Sequence, residues 1–167
     1  AGLCARWIWI PLDFVKHTTA PDYYNEAQID ESEEDFANRC ALELEELILA
    51  EGPDTVAALF AEPVMGAGGV IIPPAGYFEK IRSVLEKYDV LLVADEVICG
   101  FGRTGNMWGS QTMDVRPDIL TCAKALSSAY LPISAVMISD KIYAPLAEQA
   151  EKLGIFGHGY TYSAHPV

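Results

Sequence analysis

YFEKIRSVLEKYDVLLVAD, residues 77–95, changes its hydrophobic rhythm once, and that change decides the fold. Over 75–88 the residues Tyr77, Phe78, Ile81, Val84, Leu85 and Tyr88 recur at helical spacing. Glu79, Lys80, Arg82, Glu86 and Lys87 fill the opposite face, so an amphipathic helix is predicted. Val90–Ala94 then runs apolar without alternation. A strand that is apolar on both faces is covered on both, as a central strand of a parallel sheet must be.

The same rhythm repeats outward. Residues 33–50 predict a helix with Ser32 as cap, acids at its positive end and Gly52-Pro53 as its stop. Thr55–Ala61 predicts a short strand, and 65–74 a Gly/Pro-rich loop. Residues 100–118 predict loop; Ile119–Ala123 and Ile133–Ser139 predict two more strands. A helix is expected over much of 140–153, with Pro145 near its start or breaking it and Gly154 as C-cap. Residues 1–31 read as irregular, with Trp7–Ile10 as a short apolar run and 22–25 as loop. Strands alternating with helices give an α/β domain with a largely parallel sheet and right-handed crossover helices.

The chain has 167 residues, is 51% apolar and has a mean hydropathy of +0.17, enough for one domain with a real core. No apolar run is long enough to span a bilayer, and the N-terminal residues lack a signal-peptide pattern. The net charge of −13 argues against nucleic acid as a main partner, because phosphate neutralisation needs a basic face. The acidity is local: residues 22–62 carry 13 acids against Arg39 alone, which reads as a solvated face. Cys4, Cys40, Cys99 and Cys122 form no C-x-x-C pair, which fits a reduced, cytoplasmic protein. The chain opens on Ala1 and stops at Val167 without a closing element, so it is expected to be a piece of a longer protein.

In open α/β sheets ligands bind beyond the carboxyl ends of the strands. Three charges stand there: Glu62 after the first predicted strand, Asp95 after the second and Lys124 after the third. A lysine just past an apolar strand is expected to lose water. Desolvation favours the neutral amine, the nucleophile for carbonyls. An aspartate in the same crevice can hold the proton on a pyridine nitrogen, and the two together suit pyridoxal phosphate. A plain Lys124–Asp95 ion pair is the bland alternative. Gly100-Phe-Gly102-Arg-Thr-Gly105 also fits the dinucleotide pattern G-x-G-x-x-G after a strand. Against that reading, 106–110 is not expected to open a helix, and Asp95-Glu96 puts negative charge where phosphates would sit. His158 and His165 are seven apart with no third ligand beside them, so no metal site is assigned.

Four blocks resemble class III pyridoxal-phosphate aminotransferases: Phe60–Gly69, Leu92–Gly105, Pro117–Ser127 continuing to Tyr130-Leu-Pro132, and His158–Pro166. They stand in the family's order and cover the chain from about Ser32 to its end. The resemblance implies a cofactor, pyridoxal 5'-phosphate, and a part of the large domain of a fold-type I transferase. It implies that Lys124 holds the cofactor as a Schiff base and moves the substrate proton. Asp95 matches the pyridine-nitrogen partner, Val97 the residue packed on the ring face, and Glu62 an acid on the substrate side. Thr161 matches the residue that reaches the cofactor phosphate of a neighbouring subunit, which implies a homodimer.

The implied reaction moves an amino group from an amine or ω-amino acid to a keto acid such as pyruvate. An aminomutase, decarboxylase or racemase on the same cofactor, or an inactive fragment, would carry the same motifs. Ala164 departs from the glycine common in the family. The phosphate turn and stacking aromatic are expected before residue 1, and the carboxylate-binding arginine after residue 167. The 167 residues therefore read as one partial domain, without the N-terminal part or the C-terminal small domain. As a piece, the chain is expected to expose an apolar face.

Overall fold

Ser32 opens the helix that carries half of the core. In the computed structural model, which describes residues 12–161, its side chain accepts a hydrogen bond from the Asp35 amide at 3.1 Å. A short helix, α1 (Tyr23–Glu26), precedes it where loop was expected. It forms because the Ala27 amide closes on the Tyr23 carbonyl at 3.1 Å and the Tyr23 hydroxyl donates to the Glu31 carbonyl. Helix α2 (Glu33–Glu51) buries Phe36, Cys40, Leu44 and Ile48, one per turn. Helix α3 (Tyr77–Lys87) buries Tyr77, Phe78, Ile81, Val84 and Leu85, as its rhythm predicts. These two faces meet each other and the sheet in one cluster that includes Val90 and Leu92. Full burial of a residue such as Phe36 or Leu85 contributes about 1.5–3 kcal/mol.

The sheet has the order β1-β2-β3-β4. Strands β1 (Ala58–Ala61), β2 (Leu91–Asp95) and β3 (Ile119–Cys122) run parallel, and β4 (Ala135–Ile138) is antiparallel to β3. Strand β1 is shorter than the predicted Thr55–Ala61. Its register begins at Ala58 opposite Leu91, Val90 turns back to pair with the Leu85 carbonyl, and of 55–57 only the Ala57 carbonyl reaches the neighbouring strand, taking the Leu91 amide at 3.0 Å. Pro53–Thr55 instead form a 3₁₀ turn, closed by the Thr55 hydroxyl on the Glu51 and Gly52 carbonyls.

Pro145 does not break helix α5 (Asp140–Leu153); it sits inside it, in the second turn. There it removes one intrahelical bond, the one its amide would have made to the Lys141 carbonyl. Gly154 caps the helix in the left-handed region at φ +74°. Helix α5 buries no residue, and Phe60, Val136 and Ile138 are exposed on the strands. The expected uncovered apolar surface is therefore present among the described residues. The acidic stretch is solvated in the main, but Glu31 and Glu43 both hold Arg39, and Glu45 takes Lys87 and Tyr88.

At the amino end of the strands, buried Asp118 accepts the Leu92 amide at 2.9 Å and Arg82 at 2.8 Å. Burial pushes its carboxyl up, but the Leu92 amide and the Arg82 guanidinium outweigh burial, and the net shift is downward. A carboxyl lowered by folding stabilises above its unfolded value and loses that contribution as pH falls through its folded value. Asp118→Asn is therefore expected to cost the intact protein about 2–3 kcal/mol at neutral pH. Thermal unfolding should show the gap from the parent closing below about pH 4.

Candidate active site

The carboxyl ends of the three parallel strands place the predicted residues side by side. Glu62 follows β1, Asp95 closes β2, and Lys124 lies just beyond β3. The register sets Ala61 beside Ala94 and Asp95 beside Thr121, so the three charges stand on neighbouring strands at one edge of the sheet. Adjacent strands lie about 4.8 Å apart, within reach of one small ligand.

Asp95 is half-buried. Its Oδ1 accepts the Val97 amide at 3.0 Å, and its Oδ2 takes no hydrogen bond among the described residues. One oxygen is thus pinned and the other is open. Val97 stands half-buried in the turn after β2.

Lys124 opens a 3₁₀ turn, Lys124–Leu126, at φ +43°. Its carbonyl accepts the Ser127 and Ser128 amides at 3.2 and 3.0 Å. A side chain in the left-handed region costs roughly 1–2 kcal/mol, and such strain gathers at functional sites. Lys124 is exposed, which corrects the expectation that the strand end would desolvate it. No salt bridge among the described residues joins Lys124 to Asp95, so the plain ion pair is not what the structure holds.

Glu62 is half-buried and its Oε2 accepts the Gly66 amide at 3.0 Å, which holds the turn after β1. Thr161 is exposed at the end of the described residues, apart from the three strand ends in every hydrogen bond and ion pair described. Ala164 and His165 lie outside the described residues, as do Cys4 and Trp7–Ile10. His158 packs edge-on against Phe156 and Tyr160, with centroids 5.8 and 4.7 Å away.

The G-x-G-x-x-G loop is built for itself and not for phosphates. A Cβ on Gly100 would meet the Glu96 carbonyl at 2.8 Å and the Trp108 ring at 2.9 Å, so this glycine serves close packing. Gly102 and Gly105 take φ of +89° and +97° in turns. The loop does open a helix, contrary to expectation: α4 (Gly109–Thr112), four residues long. Its first amides are already taken. Gly109 and Ser110 donate to Glu96 Oε2 and Oε1 at 2.8 and 2.7 Å, so no free helix start faces a pyrophosphate.

Glu96 is the residue that sequence reasoning missed. It is 0% exposed, yet it looked like one more polar residue after a strand. The available signal was its place beside Asp95, directly after an apolar run. Burial pushes the nearby Cys99 thiol above its ordinary value, and the charges of Glu96, Glu62 and Asp95 add to the rise; the thiol donates to the Val64 carbonyl at 3.2 Å. Cys99 is held as a thiol, and the three acids are gathered around it.

Comparison with known proteins shows the family. The family described as class-III aminotransferases matches residues 13–167. The chain is 56% identical over 158 residues to a mitochondrial gamma aminobutyrate transaminase from Solanum lycopersicum, covering 95% of this chain and 31% of that protein. A transaminase solved with L-alanine superposes with a TM-score of 0.89 at 59% identity, over 96% of this chain and 38% of that one. An omega transaminase from Pseudomonas jessenii in complex with PMP gives 0.89 at 54% identity, over 96% and 36%. The chain thus spans about a third of the length of the curated relatives it matches.

Proposed function

Given that the chain belongs to the class-III aminotransferases, we propose that the whole protein is a pyridoxal-phosphate-dependent transaminase. It moves an amino group from an amine or ω-amino acid to a keto acid such as pyruvate. The chain supplies the central part of the cofactor-binding large domain. The observation that carries this reading is the pairing of Asp95 and Lys124 on adjacent strand ends, each with its reactive atom left open.

The donor set fits the cofactor. Pyridoxal phosphate, when bound, supplies a carbonyl that condenses with amines and a ring that accepts electrons. Lys124 would hold the cofactor through its amine and would carry the substrate proton as base and then acid. Asp95, its Oδ1 kept in place by the Val97 amide, would hold the ring nitrogen through its open Oδ2. A carboxylate there keeps the ring nitrogen protonated, which is what makes the ring an electron acceptor. Val97 would lie on the ring face and Glu62 would border the substrate. Thr161 would serve the cofactor phosphate of a second subunit in a homodimer.

Two relatives support the choice of donor, one a gamma aminobutyrate transaminase and the other an omega transaminase. In gamma-aminobutyrate the amine stands at the far end of the chain from the carboxylate. The test is to incubate the intact protein and pyridoxal phosphate with pyruvate and a panel of amines and ω-amino acids, and to measure alanine formed. At least one donor should give alanine. A protein that binds the cofactor and forms none, but decarboxylates or racemises instead, would refute amino transfer.

A further inference from the structure

We propose that Glu96 is a positioning residue for this site: its buried carboxylate clamps the Gly109 and Ser110 amides and so fixes the turn that aims Asp95. The inference rests on the functional reading above. Glu96 is 0% exposed, and both of its carboxylate oxygens are taken by backbone amides, at 2.8 Å from Gly109 and 2.7 Å from Ser110. Among the described residues no lysine or arginine pairs with it. Two amides at the start of one helical turn therefore hold the charge, and a buried charge without a cation is kept only where its hydrogen bonds are complete.

The backbone of the same residue reaches two other elements. Its amide donates to the Thr121 carbonyl at 2.9 Å, which ties it to the strand that leads to Lys124. Its carbonyl accepts the Gly100 amide at 2.9 Å, which closes the turn 97–100. The first amide of that turn, from Val97, is the one that pins Asp95. Asp95 therefore depends on the turn; the Glu96 backbone closes it, and the Glu96 carboxylate backs it by holding Gly109 against Cys99, which lies within it. Gly109 shows how tightly the clamp is packed. A Cβ there would meet the Cys99 Cβ at 2.6 Å and the Pro63 Cβ at 3.0 Å. Pro63 directly follows Glu62, so the clamp also gathers the end of β1.

Glu96→Gln keeps the volume but offers one acceptor, and its own amide then faces a backbone N–H, donor against donor. The comparison variant is Asp118→Asn, which also removes a buried, amide-bonded carboxylate, at the opposite end of the strands. In the intact protein both variants should lower Tm. Glu96→Gln alone should weaken pyridoxal phosphate binding by about tenfold or more and shift the pH midpoint of the bound cofactor's absorption band. Equal effects of the two variants on the dissociation constant and the band, or none from Glu96→Gln, would overturn the positioning role. If Glu96→Gln does not fold, Glu96→Asp, which keeps the charge and shortens its reach, is read by the same two measurements. Failure of the unsubstituted protein to bind pyridoxal phosphate would overturn the functional reading and the positioning role with it.

Discussion

In the intact protein, Lys124→Ala is expected to lower transaminase turnover by about four orders of magnitude and to leave the fold in place. Two roles disappear with one side chain: the amine that holds the cofactor and the group that carries the substrate proton. The structure argues that stability survives. Lys124 is exposed and its side chain makes no ion pair among the described residues, so its truncation removes no packing. Alanine at φ +43° is strained much as lysine is, so the backbone has no reason to move. The expected stability change is within about 0.5 kcal/mol, the range of an ordinary surface substitution. Steady-state kinetics beside thermal unfolding check both halves. Turnover near that of the parent protein would remove Lys124 from its role.

Asp95→Asn is the second large effect. Asparagine keeps an oxygen for the Val97 amide, so the turn after β2 should hold. What it presents on the open side is an NH2 group, which cannot keep a ring nitrogen protonated. Loss of a single electrostatic stabiliser of this kind costs roughly 3–4 kcal/mol, or a factor of 10²–10³ in turnover. The fall should lie mainly in kcat, with cofactor affinity much less changed, because the ring still has a hydrogen-bonding neighbour. Measurement of kcat beside the pyridoxal phosphate dissociation constant separates the two. A variant with kcat near that of the parent protein would show that the ring nitrogen is not served by Asp95.

The two core helices were legible because their apolar residues keep to a single face. Phe36, Cys40, Leu44 and Ile48 mark α2 by spacing alone, and Ser32 marks its start. The strand ends were legible for a similar reason: an apolar run followed at once by a charge has few meanings in an open sheet. What escaped was non-local. Strand β1 begins at Ala58 because its partner begins at Leu91, a limit set by the neighbour and not by the residues 55–57 themselves. Helix α4 is one turn, too short for any periodicity, and its first amides are satisfied by a carboxylate 13 and 14 residues earlier in the chain. Glu96 was overlooked for the same reason, since its partners lie across the loop. The exposure of Lys124 was missed because an apolar strand says how the strand itself is covered and nothing about the turn beyond it.

The central claim is that Lys124 is the amine to which pyridoxal phosphate bonds. It is tested most directly by loading the intact protein with the cofactor, reducing with borohydride to fix the lysine–pyridoxal bond as a stable secondary amine, and mapping the labelled peptide by mass spectrometry. Lys141, exposed on α5 and paired with Asp89, serves as the internal reference for unselective labelling. The account predicts one label per chain, on the peptide that contains Lys124. A label spread over Lys141 and the other exposed lysines, or concentrated on a different lysine, would contradict it.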